Sequence, residues 1–380
     1  MIVAVNGAVP QDVPFPVLPS GRVSAYSVLM QDSKKSLPTI DDVAVAAGVS
    51  TATVSRALNR PDSVREALRA RVASAVARLG YVPHSGARSL MLRRTGTVGA
   101  VFPTLDNAIF AQAIDAFQRR LAQAGYQLLI AASDYDVETE MKQAMNLVTC
   151  GADALALCGF SQRPELLQFL QQRALPCVHV MVFPGPAEAT CVGFDNAEAM
   201  AKAARYLIDL GHRRVAVLAG ITRDNDRASA RVDGARRALQ GAGIDLPQMR
   251  LAERRYALAD ARDGFRELMG RTPRPTAVLC GNDVLAFGSL LEAERMGLEV
   301  PGDVSIIGFD DLELARHVQP ALTTVRVQTE EMWGAAADRL LSMMRREPAQ
   351  RATEIDVSLV VRESTGPAPR ASARRRRTRP

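Results

Sequence analysis

Apolar positions keep one rhythm between Thr39 and Leu90 and another beyond Thr97. In the first stretch they recur every three or four residues, the spacing of one face of an α-helix. Ile40, Val43, Ala44 and Ala47 make the first such face, and Thr39 with Asp42 predicts a capping box at its start. Gly48-Val49-Ser50 breaks the run. Ser50 then caps a second helix, Thr51 to Leu58, which buries Val54 and Leu58. A third helix is expected to open on a Ser63/Glu66 capping box, carry the stripe Leu68, Val72, Val76 and Leu79, and end at Gly80. Two short helices joined by a turn that begins with glycine match a helix-turn-helix.

Beyond Thr97 the apolar residues come in short unbroken runs, the mark of strands buried on both faces. Thr97–Phe102 predicts the first strand. Helix Phe110 to Gly125, strand Gln127 to Ala132, helix Glu138 to Thr149, strand Ala154 to Cys158, helix Pro164 to Arg173 and strand Cys177 to Val182 follow. A second series begins after Asp195: helix Ala197 to Leu210, strand Arg214 to Ala219, helices Ser229 to Ala242 and Ala259 to Met269, strand Ala277 to Cys280, helix Val284 to Met296 and strand Val304 to Gly308. This alternation predicts two parallel sheets with helices on both faces, and a ligand crevice between the lobes at the carboxyl ends of the strands. Residues 1–36 hold several prolines and no period, and are read as disordered.

Charge sharpens the picture. The chain is +6 overall, but from Lys34 to Arg94 it carries eleven Lys/Arg against four Asp/Glu, and six arginines follow from Arg370. The positive charge therefore sits at the two ends, which favours nucleic-acid binding by the ends and not by the whole surface. The second helix offers Thr51, Ala52, Thr53, Ser55, Arg56 and Asn59 on its exposed face. Short side chains let a helix approach base edges in the major groove, and hydroxyls suit phosphates. The competing reading, a small solvated three-helix domain, explains neither the charge nor that face.

TIDDVAVAAGVSTATVSRALN resembles the N-terminal signature of the lactose-repressor (LacI) family, and YVPHSGARSL resembles its hinge, Tyr-x-Pro-Asn-x-x-Ala-Arg-x-Leu. The resemblance continues to about Glu363. It implies an all-α helix-turn-helix headpiece (37–82), a hinge (83–95), a two-lobed α/β effector domain like the periplasmic binding proteins (96–364) and a basic disordered tail (365–380). It also implies a homodimer on a pseudo-palindromic operator in double-stranded DNA. Thr51, Ala52 and Arg56 would face bases, with Thr39, Ser50, Thr53, Ser55 and Asn59 on the sugar-phosphate backbone. In the family the hinge folds into a helix on DNA and a leucine wedges into the minor groove; here that is Leu90, with Ala87 and Arg88 one turn before. A linker residue resting on the effector domain is the other reading of Leu90. His84 stands where the family has Asn, and Gly86 costs the hinge helix about 1 kcal/mol relative to Ala. The segments Thr323 to Val327 and Ile355 to Val361 are expected to cross between lobes.

The same resemblance points to Asn107, Phe110, Asp134, Asp195, Arg231, Asp283 and Asp310 as effector-binding residues. Carboxylates accept hydroxyl hydrogen bonds, a guanidinium presents a donor fork, and Phe110 offers an apolar ring. A helix N-cap is the alternative reading of an Asp that ends a strand, Asp283 above all. The implied effector is a sugar or sugar acid. Trp333 reads as core or interface.

Other chemistries find little support. Five cysteines are scattered without CxxC spacing and suit a reducing cytosol; four histidines make no metal-ligand pattern. There is no Walker loop, GxSxG or HExxH, no signal-like start and no apolar run near eighteen residues, so no cofactor is expected. The tail lacks leucine heptads, which favours a dimer over a tetramer. A two-lobed sugar-binding module without a DNA role, or a nucleotide-fold enzyme, are the competing functions.

Overall fold

Thr39 and Asp42 open helix α1 (Ile40–Ala47) as a reciprocal pair: Thr39 N donates to Asp42 Oδ2 at 2.8 Å and Asp42 N to Thr39 Oγ1 at 3.3 Å. Gly48 ends α1 in the left-handed region at φ +61°, which favours a residue without Cβ. Arg71 reaches that end from the third helix, its Nη2 donating to Ala47 O at 2.6 Å. Helices α2 (Thr51–Asn59) and α3 (Glu66–Leu79) complete the headpiece around Val43, Val54, Ala57, Val72 and Tyr81. The expected Ser63/Glu66 capping box is corrected here. Pro61–Ser63 forms a 3-10 turn, and α3 starts at Glu66 with Arg65 in the cap position. Glu66 therefore sits too early to reach back, and pairs with Arg69 instead.

In this computed structural model residues 8–95 form one unit, and residues 96–380 with 1–7 form another. The structure describes residues 3–5, 37–59, 61–82, 95–247, 250–348 and 350–369. The larger unit holds two sheets. The first has strand order β1 (Val3–Val5), β3 (Gln127–Ala132), β2 (Thr97–Phe102), β4 (Ala154–Cys158), β5 (Cys177–Val180), β6 (Cys191–Gly193) and β12 (Ala352–Glu354). The second runs β13 (Val357–Val360), β11 (Thr323–Val327), β10 (Ser305–Asp310), β9 (Ala277–Cys280), β7 (Val215–Gly220) and β8 (Leu251–Arg254). All pairs are parallel except β1 on β3 and β13 on β11.

β1 corrects the reading of 1–36 as wholly disordered: the otherwise open edge of β3 offers free backbone donors and acceptors, and Val3–Val5 pairs there in antiparallel register. Residues 6–36 lie outside the described residues. Strands β6, β8 and β12 are absent from the sequence-based series because each is short, and β8 and β12 carry charged residues.

Helices α4 (Ala108–Gln123), α5 (Val137–Thr149) and α6 (Pro164–Gln172) belong to the first lobe. Helices α7 (Asn196–Asp209), α8 (Asp226–Gly241), α9 (Leu258–Met269) and α10 (Asp283–Arg295) belong to the second. Helix α11 (Thr329–Arg345) returns to the first lobe. There Trp333 is buried, with ring centroids 4.9 Å from Phe102 and 5.4 Å from Phe117. The chain thus passes between lobes three times: β6 to α7, β11 to α11 and β12 to β13. In each sheet the strand order reverses beside one early strand, β2 in the first lobe and β7 in the second. Loops leaving the carboxyl ends of strands at such switch points form ligand crevices.

Candidate functional site

The loops after β2 and β7 face each other across the crevice. They bring Asn107 and Phe110 from the first lobe to Asn225, Arg227 and Arg231 from the second. Tyr135, Met181, Tyr256, Asn282 and Asp310 close the chamber. Its free volume is about 30 Å³, roughly one water. An outer cleft of about 590 Å³ shares Tyr135, Asn225 and Tyr256 with it and adds Asp106, Asp134, Arg223 and Arg254. The two tyrosine rings meet across the lobes with centroids 5.6 Å apart, between the chamber and the cleft.

Arg231 is held on three sides. Its Nε donates to Asn196 Oδ1 at 2.9 Å, its Nη1 to Gly281 O at 2.6 Å, and its guanidinium lies 3.7 Å from the centroid of the Phe309 ring. Asn196 is fixed in turn by donating to Met181 O at 2.8 Å. Asp310 ends β10 at φ +114°, and its carboxyl accepts no hydrogen bond among the described residues. Burial pushes that carboxyl up to about 7, against the pull of the Arg231 charge. Asp134, Tyr135 and Met181 also hold positive φ, at 53°, 60° and 72°. Strain of this kind persists where the surrounding fold over-determines a site.

Of the seven residues the resemblance assigns to the effector, Asn107, Phe110, Arg231 and Asp310 meet in the chamber. Asp134 lies in the outer cleft. Asp195 caps α7, accepting from Glu198 N at 2.9 Å, and does not line the chamber; its neighbour Asn196 is the residue that holds Arg231. Asp283 is corrected. It is fully buried, its Oδ1 accepts from Thr324 Oγ1 at 2.6 Å and its Oδ2 from Leu312 N at 2.7 Å. Nor is it the helix cap, since Asn282 is, accepting from Leu285 N at 2.9 Å. The residue that lines the chamber is Asn282, one position earlier.

Sequence reasoning missed Tyr135, Met181, Asn225, Arg227, Tyr256 and Asn282. Arg227 carried a signal, since it stands four residues before Arg231. With α8 taken to start at Ser229, it was placed in a loop; α8 starts at Asp226, capped by Asn225.

In the smaller unit, Ser50 opens α2: Thr53 N donates to Ser50 Oγ at 3.2 Å and the two hydroxyls lie 2.9 Å apart. Thr51, Ala52 and Arg56 are exposed, Thr53 and Ser55 half-buried, and Val54 and Ala57 face the core. Arg56 lies along the helix, its Nε donating to Ala52 O at 3.3 Å. Thr39 is exposed and occupied in the α1 cap. The side chain of Asn59, and the hinge residues His84, Gly86, Ala87, Arg88 and Leu90, lie outside the described residues.

Residues 39–84 match the model for bacterial regulatory proteins of the lacI family, and residues 204–365 match the periplasmic binding protein-like domain. The chain is 33% identical over 344 residues to the HTH-type transcriptional repressor PurR of Escherichia coli O1:K1, covering 89% of this chain and all of that one. It belongs to the LacI family. A second relative, the HTH-type transcriptional regulator GntR of Escherichia coli K12, is 31% identical over 83% of this chain and 94% of its own length. The lac repressor dimer bound to operator and the anti-inducer ONPF aligns with a TM-score of 0.78 and 25% identity, over 87% of this chain and 100% of that one. A CelR–cellobiose complex aligns at 0.64 and 29%, over 86% and 99%. This LacI-family chain is therefore a DNA-binding transcriptional regulator with an effector-binding domain, and its relatives PurR and GntR are transcriptional regulators. No described helix is long and apolar enough to cross a membrane, and no described cluster of His, Cys, Asp and Glu is placed to hold a metal.

Proposed function

We propose that this regulator is a cytoplasmic homodimeric repressor whose operator affinity is set by a sugar or sugar acid held between the lobes. The observation that carries the reading is the chamber itself, where Arg231 and Asp310 stand among amide and tyrosine side chains at both switch points. Such groups offer the donors and acceptors that hydroxyl-rich ligands need. The likeness to a CelR–cellobiose complex supports the ligand class.

A second surface supports the homodimer. An apolar groove of about 1080 Å³ runs from Ala108 and Ala111 of α4 to Leu290 and Leu291 of α10 and on to Leu314 and Val318. Leu258, Leu291 and Leu314 on it are 46%, 47% and 52% exposed. Large exposed apolar side chains clustered in this way mark association surfaces. The groove takes residues from both lobes. A ligand larger than one water has to part the lobes to enter the chamber, and parting them reshapes the groove. Effector and dimer geometry are then coupled through differential affinity for two lobe arrangements. In each protomer Thr51, Ala52 and Arg56 read bases and Thr39, Ser50, Thr53, Ser55 and Asn59 hold the backbone, with His84, Ala87, Arg88 and Leu90 at the hinge.

Thermal unfolding against sugars and sugar acids tests the ligand half. A ligand at 100 times its Kd stabilises the native state by about 2.7 kcal/mol, a plain shift in Tm. In vitro selection of bound DNA tests the operator half, and a palindromic consensus is expected. An unstructured consensus, or a hit that leaves operator affinity unchanged, contradicts the proposal.

A further inference from the structure

Arg227 and Arg231 lie one turn apart on α8, so both side chains leave the same face of the helix. Both line the chamber, yet they reach different walls. Arg231 is bound within its own lobe, to Asn196 and Gly281. Arg227 extends into the first lobe, where it lines a small cavity with Glu140, Cys158 and Ser161. A Cβ added to Gly159 of that lobe would collide with the side chains of Arg227 and Asp226.

The charge beside Arg227 is already shared. Asp226 Oδ1 accepts from Arg227 Nη1 at 3.1 Å and from Arg227 N at 2.9 Å, while its Oδ2 accepts from Phe160 N at 2.7 Å. That leaves Nε and Nη2 of Arg227 without a hydrogen bond among the described residues, on a residue only 8% exposed. Neither donor is among the buried polar atoms shut off from solvent, so both open onto the space between the lobes, where an anionic ligand can take them. Arg231 likewise keeps Nη2.

We infer that Arg227 is a specificity residue, which with Arg231 makes the chamber select a polyhydroxylated monocarboxylate over a neutral sugar or a sugar phosphate. The inference rests on the chamber being the effector site. Two guanidiniums each offer part of a fork, and a planar carboxylate matches such forks. Asn107, Asn225, Asn282 and the two tyrosines remain for its hydroxyls. A dianionic phosphate would bring a second negative charge beside the Asp310 carboxyl with only those unspent donors to offset it.

The test uses the full-length protein and three matched sets: five- and six-carbon aldonates and uronates, the corresponding aldoses, and the corresponding sugar phosphates. Tm shifts and then Kd values are measured for wild type, Arg227→Gln and Arg227→Lys. At least one monocarboxylate is expected to raise Tm and to bind at least 30-fold tighter than its aldose. Arg227→Gln is expected to erase that ratio, and Arg227→Lys to restore part of it. A merely structural Arg227 would change acid and neutral ligand alike and leave the ratio intact, which overturns the inference. Aldoses binding as tightly as the acids also overturn it while leaving the proposed effector site standing. Phosphates binding in place of carboxylates overturn the carboxylate assignment. If no set shifts Tm, both the inference and the ligand class proposed for the site fail, and only the operator half remains.

Discussion

The chamber and the α2 face are built by opposite means. The α2 face is contiguous in sequence and exposed: Thr51, Ala52 and Arg56 fall within six residues and owe their position to the helix alone. The chamber is buried and gathered from seven segments between Asn107 and Asp310, several held at positive φ. The first region can be altered with little effect on folding, because its groups are in water. The second cannot, because its polar groups are desolvated and each depends on partners.

The largest expected difference is in pH dependence. With Asp310 raised to about 7, its ionisation opposes folding. Its contribution is fully present below about pH 4 and is lost as pH rises through 7, by up to about 4 kcal/mol. The groups facing Asp310 are Arg231 from α8, Tyr135 and Tyr256 from the two cleft loops, and Asp283 from α10, itself raised by burial and by Asp310. Asp283 acts with the same sign and is raised partly by Asp310, so the difference between wild type and Asp310→Asn in denaturant melts from pH 5 to 8 reads Asp310 together with its coupling to Asp283. A flat difference would contradict the burial argument.

Arg231→Leu is expected to cost about 3 kcal/mol of stability, by removing a buried guanidinium from Asn196, Gly281 and Asp310, and to abolish effector response. Operator affinity without effector should stay within twofold. Asp283→Ala separates framework from site. Losing its bonds to Thr324 and Leu312 should lower stability by about 2 kcal/mol while effector affinity changes little. A loss of effector binding without a loss of stability would return Asp283 to the ligand-facing set.

Arg56→Ala should reverse that pattern. Operator affinity falls by about 1.5 kcal/mol with relaxed sequence preference, and Tm and effector affinity are unmoved. Gly48→Ala, at φ +61° with Arg71 packed against it, should cost the headpiece about 1 kcal/mol without altering the effector domain.

The same contrast explains what was legible in the sequence. Helix α1 with its Thr39/Asp42 box, helix α2 with its Ser50 cap, and most strands of both lobes could be read because their signals are local. Arg231 and Asp310 came from motif resemblance and are in the chamber. Asp283 also came from the resemblance, which was carried to the second residue of the Asn282-Asp283 pair, and a one-residue offset turns a side chain from the cavity to the core. Tyr135 and Tyr256 had no local signal, since their meeting depends on how two loops 120 residues apart approach across the crevice. Strand β1 was missed for a similar reason: a three-residue segment pairs only because β3 offers it an edge.

The central claim is that occupancy of the chamber governs operator binding by the headpiece. Fluorescence anisotropy of a selected operator, titrated with full-length protein with and without a saturating hit from the melt screen, tests it most directly. Wild type is expected to show at least a tenfold change in Kd, and Arg231→Leu none. An unchanged wild-type Kd despite a clear Tm shift, or an equal change in Arg231→Leu, would contradict it.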